Sequence, residues 1–169
     1  MCPKLGRGFR ARVTLEDDAR GSRSCAQTLL AAARLVERHC DAVDINFGCP
    51  QGIAKKGNYG SFLMDDFPLV YSLINKLHKN LAIPVTCKIR RFEDDAKTLQ
   101  YAKLCADAGA SVLTLHGRTR EHKGPGAPMA DWNIIRKVRP PPSRKYPPPA
   151  PPCRSAAHLA RKQTRKCAC

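Results

Sequence analysis

The chain has 169 residues, with 30 Lys and Arg against 14 Asp and Glu and a formal charge of +16, so one domain of ordinary size fits and two packed domains do not. No apolar run reaches the roughly 18 residues of a membrane-spanning helix, and the start, Met1 to Arg7, lacks a secretory apolar core, so an intracellular protein, cytoplasmic or nuclear, is expected. Nine cysteines, an odd number with Cys40, Cys87 and Cys105 inside apolar or helical runs, read as reduced thiols rather than a disulfide framework.

Residues 1–25 mix Gly, Arg, Ser and acids without periodicity and read as an irregular leader. From there, Leu29, Leu30, Ala33 and Val36 recur at helical spacing and predict a helix over 26–39. A short β-type run over 41–46 follows, closed by the turn Phe47-Gly-Cys-Pro50, and then a basic glycine loop containing Lys55, Lys56, Gly57, Tyr59 and Gly60. Leu69, Val70, Leu73, Ile74 and Leu77 predict a second amphipathic helix within 65–79. Next come a strand over 83–89, a helix over 96–108 with Gly109 as its stop signal, a strand over 111–116, and a helix over 132–138. Residues 139–169 hold eight basic side chains and no acidic one, which is half of the net charge, and eight prolines fall between Pro140 and Pro152. Such a segment buries too little apolar surface to offset chain entropy, so it reads as a disordered tail. Its Cys153, Cys167 and Cys169 lack the second close-spaced pair of a zinc site, and no metal is expected.

Helices alternate with strands across connections long enough for crossovers, which predicts an α/β fold with parallel strands. An open doubly wound sheet and a (β/α)8 barrel both satisfy the pattern, and both place chemistry at the carboxyl ends of the strands. Each predicted strand ends in a polar cluster: Asn46 with Cys49, Lys88 with Arg90, and His116 with Arg118. Within each strand the polar residues share parity, Asp44 with Asn46, Thr86 with Lys88 and Arg90, and Thr114 with His116, so period-two geometry puts them on one face. A single basic strand end is ordinarily a solvated surface residue. Three consecutive ends carrying acid, base or nucleophile types converge on one mouth, which reads as an active site.

The segments DINFGCP (44–50), KGNYG (56–60), VTCKIR (85–90) and LHGRT (115–119) resemble, in order and spacing, motifs of the tRNA-dihydrouridine synthases, in particular the eukaryotic branch acting at tRNA positions 16 and 17. The resemblance implies a flavin (FMN) enzyme that uses NAD(P)H to reduce uridine in tRNA to 5,6-dihydrouridine. It implies Cys49 as proton donor to C5 of the uracil. Thiols titrate near about 8.5 in peptides, so at neutral pH they are protonated and suited to act as acids. By the same resemblance Asn46 hydrogen-bonds the uracil, Lys88 and His116 contact the isoalloxazine ring, and Arg90 supports uracil or flavin. Lys55, Lys56, Tyr59 and Arg118 would grip the RNA, where lysines neutralise phosphates on either side of a flipped base. A (β/α)8 barrel is implied, of which residues 26–138 would supply about strands four to six of eight. The family's flavin-contacting segments on the first and third strands, and its phosphate loops after the seventh and eighth, find no match in residues 1–24 or in the tail. A truncated chain of this kind carries an alternative reading, a catalytically incompetent isoform acting at most as a basic RNA-binding fragment.

Overall fold

The computed structural model describes residues 10–13 and 23–139. In chain order the elements are β1 (Arg10–Val13), α1 (Arg23–Val36) with a short 3-10 turn at Glu37–His39, β2 (Ala42–Phe47), α2 (Gly52–Lys56), α3 (Phe67–Asn80), β3 (Val85–Arg90), α4 (Asp95–Asp107), β4 (Val112–His116) and α5 (Trp132–Val138). The strands form one parallel sheet in the order β1-β2-β3-β4. The three strands read from the sequence are therefore neighbours in sequence order, each joined to the next by a helix.

Two features depart from the expectation. A fourth strand, β1, lies within the leader, where the composition predicts irregular chain. It pairs with the edge of β2 in the register Arg12↔Asp44, so backbone groups of β2 that would face solvent are satisfied by the chain's own N-terminal segment. Four residues are too few for a period-two signal to stand out. The glycine loop also holds a short helix, α2, whose Gly57 N–H closes on the Ile53 carbonyl at 2.9 Å. The rest of the leader and the proline-rich tail from 140 onward, with the disorder and metal expectations attached to them, lie outside the described residues.

The sheet sorts its residues by parity. Val43, Ile45 and Phe47 of β2 and Val85, Cys87 and Ile89 of β3 are all buried, packed with Leu29 and Ala33 of α1, Val70, Leu73, Ile74 and Leu77 of α3, and Tyr101, Ala102 and Cys105 of α4. Each of the large aliphatic side chains contributes about 1.5–3 kcal/mol by leaving water. Burial beside Cys105 pushes the Cys87 thiol far above its ordinary range, with the Cys105 contact as the largest cause. That places Cys87 in the helix layer, as its parity requires. Phe67, Phe92 and Tyr101 form an aromatic cluster with centroids 5.2–6.1 Å apart, joining α3 and α4 to the segment after β3.

The helix starts are set by carboxylates. Asp66 Oδ1 accepts from Leu69 N–H at 3.0 Å ahead of Pro68, and Asp94 Oδ1 accepts from Ala96 N–H at 2.8 Å. Among the described residues no helix is long and apolar enough to cross a membrane.

Candidate active site

The opposite face of the sheet carries the polar residues, arranged in rows by the parallel register. Asp44 faces Thr86, Asn46 pairs with Lys88, Lys88 with Thr114, and Arg90 with His116. Neighbouring strands lie about 4.8 Å apart, so Asn46, Lys88, Arg90 and His116 share one corner of the sheet at its carboxyl end. The row beneath is closed by Thr86 Oγ1 donating to the buried Asp44 Oδ1 at 2.7 Å.

Cys49 stands in the turn just past β2, half-buried. Gly48 N–H donates to Asn46 Oδ1 at 3.1 Å, which fixes the Asn46 amide and leaves its NH2 as the donor for a carbonyl. The turn is held from the other side by Arg90, which is only 8% exposed. Its Nε donates to the Gly48 carbonyl at 2.7 Å, and its Nη1 donates to the Thr119 carbonyl at 2.8 Å and the His122 carbonyl at 3.4 Å. One guanidinium thus ties the cysteine turn to the segment that follows β4. Burial and the neighbouring Arg118 lower its pKa from the usual value, burial being the larger cause. The resemblance implies Arg90 as a support for uracil or flavin; the geometry gives it a task of its own, holding two strand-end segments in register.

His116 is surrounded by positive charge. Its pKa is lowered by burial first, then by Arg90, Lys88 and Arg118, so the imidazole is neutral at physiological pH. Between that depressed value and about 6.5 the unfolded chain takes up a proton at this residue and the folded chain does not, so stability falls as pH drops through this window. Urea midpoints at pH 7.5 and 5.5 should therefore differ more for the wild-type chain than for His116→Asn; equal pH dependence in the two would remove His116 as the source.

The remaining predicted residues fall in three places. Lys55 and Lys56 are exposed at the end of α2, with Ile53, 64% exposed, beside them. Tyr59 is buried, only 6% exposed, and its ring lies so close to Gly57 that a Cβ there would meet it at 2.7 Å. The tyrosine therefore shapes the basic loop, and the two lysines are its outward charges. Arg118 lies half-buried past His116. His116 Nδ1 and Arg118 Nε are buried side-chain nitrogens with no hydrogen-bond partner among the described residues.

Several residues that sequence reasoning did not single out also shape the rim. Arg91 bridges Asp131 at 2.7 Å, and Asp131 Oδ1 in turn accepts from Asn133 N–H at 2.8 Å to cap α5. Gly117 passes so near Asp131 that a Cβ would lie 2.6 Å from its carbonyl oxygen. A cleft of about 290 Å³ opens between Asp65, Arg91, Phe92, Lys97 and Arg120 and includes none of the predicted site residues. Its charges are largely paired with one another, Lys97 to Asp65 at 3.5 Å and Arg120 to Asp65 and Glu121. The residues singled out from the sequence gather at the cysteine corner and not in this cleft.

A family model described as dihydrouridine synthase (Dus) matches residues 22–141. The chain belongs to the dihydrouridine synthase family. Among curated proteins it is 62% identical over 111 residues to the NAD(P)(+) tRNA-dihydrouridine(16/17) synthase of Saccharomyces cerevisiae, covering 66% of this chain and 26% of that protein. It is 56% identical over 113 residues to the protein of the same name in Schizosaccharomyces pombe, covering 67% and 28%. A tRNA-dihydrouridine synthase B of Pasteurella multocida is 36% identical over 111 residues, covering 64% and 33%. The chain thus spans about a quarter to a third of the length of these relatives. The family match begins at residue 22, just ahead of α1, and takes in β2, β3 and β4 with every predicted site residue.

Proposed function

We propose that the chain carries the catalytic corner of a tRNA-dihydrouridine synthase, a flavin-dependent oxidoreductase that reduces uridine in tRNA at the expense of NAD(P)H. In this reading β2, β3 and β4 correspond to strands four to six of the family's (β/α)8 barrel. The observation that carries it is the convergence of Cys49, Asn46, Lys88 and His116 at the carboxyl ends of three adjacent parallel strands, where barrels place their chemistry. The names of the relatives supply the substrate class and the reductant.

The corner suits FMN. His116 Nδ1 and Arg118 Nε are buried nitrogens without partners among the described residues, and the ring system of a flavin presents carbonyl and nitrogen acceptors to such groups. Lys88, next to Asn46 across the sheet, adds a cation on the same face. When bound, reduced flavin supplies the hydride for the uracil ring. The neutral His116 and Lys88 would hold the flavin ring, and Asn46, its amide fixed by Gly48 N–H, would donate to a uracil carbonyl. Cys49 Sγ delivers the proton to C5, leaving a thiolate beside the positive charges of the corner. Lys55 and Lys56 neutralise phosphates beside the entering nucleotide without reading sequence. A cytoplasmic or nuclear location accords with a tRNA substrate.

Removing the acid is the direct test. With these residues set in a full-length synthase supplied with FMN, NADPH and a tRNA transcript, Cys49→Ala should form dihydrouridine at least about 100-fold more slowly than the same protein with Cys49, the usual scale of a lost general acid. Cys87→Ala should leave the rate within about twofold, because Cys87 faces the helix layer and a thiol behaves there as a small hydrophobe. Wild-type turnover in Cys49→Ala would remove the acid assignment.

A further inference from the structure

Directly behind Cys49 lies a hydroxyl that the proposed chemistry does not use. Ser61 is fully buried. Its Oγ donates to the Cys49 carbonyl at 2.9 Å, and its backbone N–H donates to the same oxygen at 3.0 Å. The approach is possible because Gly60 adopts φ +62°: a Cβ at that position would lie 2.8 Å from the Cys49 carbonyl oxygen and 2.9 Å from Cys49 Cβ. A left-handed glycine and a two-bond clamp therefore converge on one peptide group. Near it in sequence, Tyr59, Leu63 and Met64 are buried as well.

We infer that Ser61 is a positioning residue for Cys49, its hydroxyl clamping the Cys49 carbonyl so that the thiol is held at the carboxyl rim of the sheet. Arg90 holds the same turn from the Gly48 side, so the two clamps grip adjacent peptide groups from different elements. The inference rests on the reading of Cys49 as the acid, but the geometry of the clamp is independent of flavin and RNA. Loss of the Oγ bond leaves only the backbone bond, and local opening of the turn then exposes the thiol more often.

The test uses the full chain without flavin or RNA, with iodoacetamide as probe and the alkylation rate of each cysteine followed by peptide mass spectrometry. Ser61→Ala should raise the rate at Cys49 about fivefold, the factor that one ordinary hydrogen bond is worth. The rate at the half-buried Cys40 should stay unchanged and Cys87 and Cys105 should stay unreactive. Ser61→Thr, which keeps the hydroxyl, should return Cys49 to near the wild-type rate. An unchanged rate at Cys49 in Ser61→Ala overturns the inference. So does a rise shared by Cys40, Cys49, Cys87 and Cys105, which would mean general loosening, and so does a Cys49 rate in Ser61→Thr as high as in Ser61→Ala. Failure of the acid role itself is read separately, from product formation in Cys49→Ala, and leaves the alkylation result standing.

Discussion

Arg90→Met is expected to lower the free energy of unfolding by about 3 kcal/mol or more. The methionine fills much of the space of the aliphatic stem, but it leaves the Gly48 and Thr119 carbonyls without the charged donor that now satisfies them at 2.7 and 2.8 Å. Hydrogen bonds to a charged group are worth about 1.5–3 kcal/mol each, and an unsatisfied buried acceptor costs its desolvation besides. Arg90→Lys should recover only part of the loss, because an ammonium on a flexible stem does not reproduce a planar fork reaching two segments at once. The same substitution to methionine should raise the pKa of His116, since Arg90 is one of the cations holding it down. Urea midpoints measure the first effect and an NMR titration of the His116 ring the second. A wild-type midpoint together with an unmoved titration would show that the guanidinium ties nothing.

The second large effect is expected at Gly109, where α4 ends. Its φ is +110°, and a Cβ would lie 2.4 Å from Cγ and 2.9 Å from Cβ of His78 on α3. The conformation alone makes alanine unfavourable by about 1 kcal/mol, and the overlap with a side chain's own Cβ adds about 1–3 kcal/mol because the α3 backbone must shift. Gly109→Ala should therefore cost about 2–4 kcal/mol in the thermal or urea midpoint. Gly52→Ala, with nothing within 4 Å of its Cβ position, is the matched control and should be near neutral. Adding His78→Ala to Gly109→Ala should return the part of the loss that comes from the imidazole ring and none of the part that comes from φ. A neutral Gly109→Ala would mean that the α3–α4 junction is looser than its geometry implies.

Gly109 also illustrates what the sequence made legible. A helix stop can be read from one residue type, and so can an apolar stripe such as Leu69, Val70, Leu73, Ile74 and Leu77, because both are local properties of the chain. Those signals located α3, β3, α4 and β4 to within a few residues of the observed bounds. The parity of Lys88 and Cys87 was equally local and sent each to its correct face. What escaped was either too short or too long in range. Arg10–Val13 and Gly52–Lys56 are four and five residues long, below the length at which a period becomes visible. The clamps on the cysteine turn join residues 12 apart, for Ser61, and 42 apart, for Arg90, and a serine or arginine alone does not announce its partner. The resemblance names Tyr59 beside Lys55 and Lys56 as part of the RNA grip, and the burial of its ring against Gly57 is a packing fact that the loop's composition does not carry.

The strict alternation of β3 has a consequence for how the sheet finds its pairing. If β3 slipped by one residue against β2, Thr86, Lys88 and Arg90 would be thrust into the aliphatic layer, and Cys87 and Ile89 would be turned to the polar side. Two uncompensated cations in that layer make the slipped state prohibitively costly. The groups assigned to binding and positioning therefore also act as a register lock during folding. A substitution such as Lys88→Leu does more than remove a contact: it lowers the penalty that keeps the wrong alignment empty. On this strand the freedom to change the chemistry is bounded by the need to keep the alignment unique.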